Sequence, residues 1–118
     1  MSASLPKANR VVDKKDFERV FSEAERIVTN ILVLLYRNNS LTYCRLGLAI
    51  SKKHVAKAVE RNRIKRQIRE FFRHHKDKCQ GLDIVLVSRP ATGKADNRIL
   101  LRSLEELWRK LGARRCAA

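Results

Sequence analysis

Apolar residues first recur with a helical period. Phe17, Val20, Phe21 and Ala24 fall at i, i+3, i+4 and i+7, which places them on one face of a helix. Asp13 is an acceptable N-cap, with Asp16 three residues on, and the helix is expected to run to about Arg26. The period then shortens. RIVTNILVLLYR, residues 26–37, is β-branched and aliphatic and predicts one long strand or two short ones. Asn38-Asn39-Ser40 is a turn signal. RLGLAIS, residues 45–51, alternates, with Leu46, Leu48 and Ile50 to one side and Gly47, Ala49 and Ser51 to the other. The small-residue side leaves room for close approach and favours a packed helix over an open binding surface.

Helical spacing returns beyond a basic segment, SKKHVAK. Ile64, Ile68, Phe71 and Phe72 cover about 100° of a helix that begins near residues 57–60 and reaches about Lys78. Gly81 ends it, and DIVLVSR, residues 83–89, reads as a buried strand. RPATGKADN is a loop whose Asp96 or Asn97 can cap a last helix. That helix carries Leu100, Leu101, Leu104, Leu107, Trp108 and Leu111 on one stripe before Gly112. Trp108 at such spacing belongs to the core rather than to a base-stacking platform. The predicted order is helix, strands, helix, strand, helix, an α+β domain with helices over a small sheet. With no repeat or interior linker, the 118 residues are expected to form a single domain, with a core over about 8–111 and loosely held ends.

Charge points to what this domain binds. Twenty-seven Lys and Arg stand against 12 Asp and Glu, formally +15 with a pI near 10.6, which points to a polyanionic partner. The excess is concentrated: residues 52–78 hold 11 basic and 3 acidic side chains. On the predicted helix Asn62, Arg66, Arg69 and Arg73 lie opposite the apolar stripe, with Lys65 on one flank and Arg63 on the other. An ordinary solvated face mixes signs. Here only Glu60 and Glu70 interrupt the row, and arginine, with its planar fork for phosphate and its affinity for bases, outnumbers lysine. A membrane-surface helix is disfavoured, because the apolar face is needed for the fold. DNA is disfavoured because strands flank the basic helix, which leaves no helix-turn-helix. Structured RNA, recognised by backbone shape and charge, fits.

Catalytic chemistry is hard to find. Glu105 and Glu106 diverge by about 100° on a helix, and Asp13 and Asp16 suit a helix start. His74, His75 and Cys79 lack a convincing fourth ligand. The four glycines stand apart, so there is no phosphate-binding loop. Three separated cysteines argue against a disulfide framework and for a reducing compartment. No secretory h-region is evident, and the longest apolar run, residues 31–36, cannot span a bilayer. A soluble, cytoplasmic protein without catalytic or metal-binding residues is expected.

GLAISKKHVAKAVERNRIKRQIREFFR closely resembles the signature of the bacterial ribonuclease P protein family, in which a strand leads through Lys-Lys to Arg-Asn-Arg, Lys-Arg and Arg-Glu. Here these are Lys52-Lys53, Arg61-Asn62-Arg63, Lys65-Arg66 and Arg69-Glu70. DFERVF upstream and DIVLVSRP downstream agree, so the resemblance covers about residues 8–111. It implies a four-stranded sheet with three helices in the order α-β-β-β-α-β-α, with the basic helix entered by an unusual left-handed crossover. It also implies an accessory subunit: the RNA subunit cleaves the 5′ leader from precursor tRNA with bound Mg2+, while the protein holds no cofactor of its own, binds that RNA, supports cleavage at low magnesium and contacts the leader. Carried over by position, Arg61, Asn62, Arg63, Lys65, Arg66 and Arg69 dock on the RNA subunit, with Arg73 continuing the row and Lys52 and Lys53 as neighbouring phosphate contacts. Phe17 and Phe21 match the family's leader-binding helix, in a cleft between that helix and the sheet, and Tyr36 is a candidate strand contribution. On spacing alone, Phe17 and Phe21 would be core residues. A structural RNA-binding protein of ribosomal type is the alternative that composition leaves open. An independent endoribonuclease would need the catalytic groups that are missing.

Overall fold

The computed structural model describes residues 14–117. Asp13, the expected first cap, therefore lies outside the described residues, as do the side chains of Asp16 and Phe17. The elements run α1 (Lys14–Glu23), β1 (Glu25–Val28), β2 (Leu32–Asn38), β3 (Arg45–Ala49), α2 (Ala58–His75), β4 (Leu82–Ser88) and α3 (Asn97–Ala117). One 3-10 turn, Lys76–Cys79, follows α2 and another, Pro90–Lys94, precedes α3.

The ambiguous aliphatic segment is two strands. Thr29 makes the break: its Oγ1 accepts from the N–H groups of Ile31 and Leu32, at 3.3 and 3.1 Å, while its own N–H donates to Leu32 O. The chain therefore reverses within a run of strand-forming residues. Pairing of Glu25 with Tyr36 begins the hairpin, which is why α1 stops at Glu23 and not at Arg26. Strand order is β1-β2-β4-β3, with β3 parallel to β4 and the other pairs antiparallel. A parallel neighbour needs a crossover, and residues 50–81 supply it through α2.

Alternation along the strands divides the interior. Leu32, Leu34, Leu46, Ile84 and Leu86 face α2 and α3, meeting Ile64, Ile68 and Phe72 from one helix and Leu100, Leu104, Leu107 and Leu111 from the other. Trp108 is buried there, as expected, edge-on to Phe71 at 5.2 Å and to Phe72 at 6.4 Å. The opposite face holds a smaller cluster, Val33, Leu35 and Val85 beneath Val20 of α1, with Ala49 and Val87 at its margin. The small-residue side of β3 thus does face a helix. Gly81 adopts φ 80°, the left-handed turn that lets the chain leave α2 for β4. Asp96 caps α3 by accepting from Ile99 N–H at 2.9 Å. Gly112 does not end α3 as its type predicts. The space beside it is open, and Arg114 donates to Arg26 O at 3.0 Å, tying the added turn to β1.

Candidate nucleic-acid interface

α2 is held from below. Ile64, Ile68 and Phe72 are fully buried, so the opposite side of the helix is fixed in space without help from its charged residues. The arginines on and beside that side divide into two groups.

Two guanidiniums bind the protein's own loops. Arg61 Nη1 donates to Val55 O and Ala56 O, at 2.9 and 2.8 Å, fastening the crossover to the first turn of α2. Arg63 donates to Glu60 and to Ala95 O at 3.0 Å, and reaches Asn97 Oδ1 at 2.5 Å. It therefore fastens the segment before α3 to the same turn. These two loops also touch directly: a Cβ on Gly93 would stand 2.5 Å from His54 O, so only glycine permits the approach. Arg73 is paired too, with Glu70 at 2.6 Å. That hydrogen bond holds the exposed Glu70 carboxyl below its ordinary pKa.

The second group has no acceptor among the described residues. Among the described residues the side chains of Lys52, Lys53, Asn62, Lys65, Arg66 and Arg69 form no hydrogen bond or ion pair with the protein. Lys52, Lys53, Asn62 and Arg66 are exposed, and Lys65 and Arg69 half-buried. Cationic side chains held on a rigid helix without internal carboxylates are built to meet an external polyanion. The histidines at the end of α2 are engaged elsewhere: the Nδ1 atoms of His74 and His75 lie 2.9 and 2.8 Å from the carbonyls of Glu70 and Phe71, and His75 stacks on Phe71. Among the described residues no group of three or more His, Cys, Asp or Glu is placed to hold a metal ion. None of the helices there is long and apolar enough to cross a membrane.

Of the three expected aromatic contacts, the two whose side chains are described, Phe21 and Tyr36, are not brought together. Phe21, on α1, is 52% exposed, although its spacing alone assigns it to the core. Tyr36 lies elsewhere. Its ring belongs to the core on the α2–α3 side of the sheet, and its hydroxyl donates to Glu25 Oε2 at 2.7 Å. Even-numbered residues of β2 point away from α1, so Tyr36 does not line the cleft between α1 and the sheet. The odd-numbered Arg37 does share the α1 side, and pairs with Glu23 of α1 at 3.3 Å. Beside it, Asp83 is fully buried and receives Arg45 Nε and Nη2, at 2.8 and 2.7 Å, and Asn39 at 3.0 Å. Register places Arg37, Asp83 and Arg45 in one row across β2, β4 and β3. The parity of Arg37 with Val33 and Leu35 is the sequence signal that would have found it.

A family model described as Ribonuclease P matches residues 5–112. The chain belongs to the ribonuclease P protein family. The match takes in α1, the whole sheet, α2 and most of α3. Two similar relatives are the ribonuclease P protein components of Nitrosococcus oceani, 46% identical over 84% of this chain and 83% of that one, and of Legionella pneumophila strain Corby, 45% identical over 93% and 95%. Among solved structures, the Staphylococcus aureus RNase P protein superposes with a TM-score of 0.82 at 32% identity, covering 89% of this chain and 96% of that one. The RNase P protein of Thermotoga maritima gives 0.76 at 31%, covering 86% and 96%. Ribonuclease P membership agrees with the resemblance carried by residues 52–70, and the α+β fold with four strands and three helices is the one expected.

Proposed function

We propose that this chain is the RNA-binding protein subunit of a bacterial ribonuclease P, acting in the cytoplasm on the 5′ leaders of precursor tRNA. The carrying observation is the set of cationic side chains on and beside α2 that have no acceptor among the described residues, on a helix whose other face is locked into the core. Lys52, Lys53, Asn62, Lys65, Arg66 and Arg69 dock on phosphates of the RNA subunit, and Arg73 joins them by exchanging Glu70 for phosphate. Arg61 and Arg63 shape the docking surface by holding the loops at either side of it, and any phosphate they bind is reached by their remaining N–H groups.

Hydrolysis is the work of the RNA subunit and its magnesium ions. The protein lowers the magnesium requirement by supplying fixed positive charge where two folded RNAs approach. Phe17 and Phe21 offer stacking surfaces to the single-stranded leader, a contact that tolerates varied sequence because every base has a π-face. Tyr36 takes no part in it.

The test is single-turnover cleavage of a precursor tRNA by a bacterial ribonuclease P RNA at near-physiological magnesium, with and without this protein, beside protein alone. Protein-dependent cleavage at the mature 5′ end, with protein alone silent, is the expected result. Cleavage by the protein alone would place the chemistry in the protein. No stimulation would leave a basic RNA-binding domain of ribosomal type.

A further inference from the structure

The parallel strands β3 and β4 end side by side, and beyond their carboxyl ends lies an open cavity of about 380 Å³. Ligands of sheets containing parallel strands commonly bind at that end. The cavity is lined by the last residues of β3, by Val87 and Ser88 of β4, by His54 of the crossover and by Lys65 of α2, with no carboxylate among them.

A chain of hydrogen bonds sets the imidazole. Ser51 N–H donates to Ser88 Oγ at 2.9 Å, and Ser88 Oγ lies 2.9 Å from His54 Nδ1. Ser88 is buried, and having accepted from Ser51 N–H its hydroxyl can donate to His54 Nδ1, the acceptor within reach among the described residues. With the hydroxyl proton so directed, the ring carries its own proton on Nε2, which has no partner in the described protein. Lys65 has none either. The cavity therefore presents two hydrogen-bond donors, one of them cationic, beside the apolar side chains of its rim, Leu48, Ala49, Ile50 and Val87, which come from both faces of the sheet end. That is the chemistry of an anion site flanked by a nonpolar group.

We propose that this cavity is a phosphodiester subsite for RNA, in which Lys65 Nζ and His54 Nε2–H hold one phosphate and the adjoining sugar or base lies against the apolar part of the rim. Ser88 is a positioning residue that acts through the imidazole. The inference rests on the RNA-binding reading of α2, since Lys65 belongs both to that face and to the cavity. This continuity, and the open shape, favour a polynucleotide phosphate over a free one.

The test is titration of the full chain with an oligoadenylate RNA at low salt, following the ring nitrogens of its three histidines by NMR. His74 and His75, at the far end of α2, serve as internal references. His54 Nε2 should shift saturably and more than either reference. Lys65→Ala should weaken that saturation about tenfold, the loss expected for a charged hydrogen bond. Ser88→Ala should replace the single-tautomer pattern of His54 by a mixture and weaken binding by a smaller factor. If RNA is retained in a gel-shift assay while His54 stays still, the subsite is wrong and the arginine face stands. If no RNA binds at all, both readings fall. If inorganic phosphate at equal phosphate concentration moves His54 as far, the site is one for free phosphate and the RNA assignment is overturned.

Discussion

At the scale of single residues, burial and partner decide what a side chain is for. Asp83 is the one fully buried carboxylate among the described residues, and Arg45 and Asn39 satisfy it. Removing one member of such a pair leaves an uncompensated group in the interior. Asp83→Ala should lower stability by about 3 kcal/mol, read as a lower urea midpoint at unchanged slope. Phe21 makes the opposite case. It is half-exposed, so Phe21→Ala should leave the melting midpoint nearly unchanged while weakening precursor tRNA binding more than mature tRNA binding. Equal losses on both RNAs, together with a lower midpoint, would return Phe21 to the core.

At the scale of the element, α2 contains arginines with different work. Arg61 and Arg63 act on the protein, because crossover and loop carbonyls occupy them. Arg66 and Arg69 do not, since nothing in the described protein accepts from them. Arg61→Ala should therefore cost about 1–3 kcal/mol of stability by stripping a charged donor from two carbonyls, whereas Arg66→Ala should leave stability within about 0.5 kcal/mol and weaken RNA binding. Thermal melts and RNA titrations on the same two variants separate the roles. Equal stability losses would mean that the two arginines do the same work. Sequence supplied the helix, its buried stripe and its basic side, because a 3.6-residue period reports which residues share a face. It could not divide Arg61 from Arg66, because that depends on carbonyls brought up by loops distant in sequence.

At the scale of the whole molecule, the charge excess becomes a surface with a direction. Affinity for the RNA subunit should fall steeply with salt, because each neutralised phosphate releases counterions. Replacing Lys65, Arg66 and Arg69 together by alanine should reduce the slope of log affinity against log salt by about 2 to 3, at roughly 0.7–0.9 per phosphate. An unchanged slope across the titration would move the docking face elsewhere.

The sequence by itself determined the α+β order, the core stripe of α2, that of α3 save for Leu101, which is exposed, the family and the polyanionic partner class, since periodicity, a long ordered motif and net charge are local or additive properties. Only the tertiary structure decided that residues 25–38 fold back as a hairpin, that α3 runs past Gly112, that Tyr36 turns away from α1, and that Ser51, His54, Lys65 and Ser88 line one cavity. Each of these depends on a contact between residues far apart in the chain: strand register, a guanidinium on a distant carbonyl, the meeting of two strand ends. No local pattern encodes such a contact, because its free energy exists only once both partners are in place.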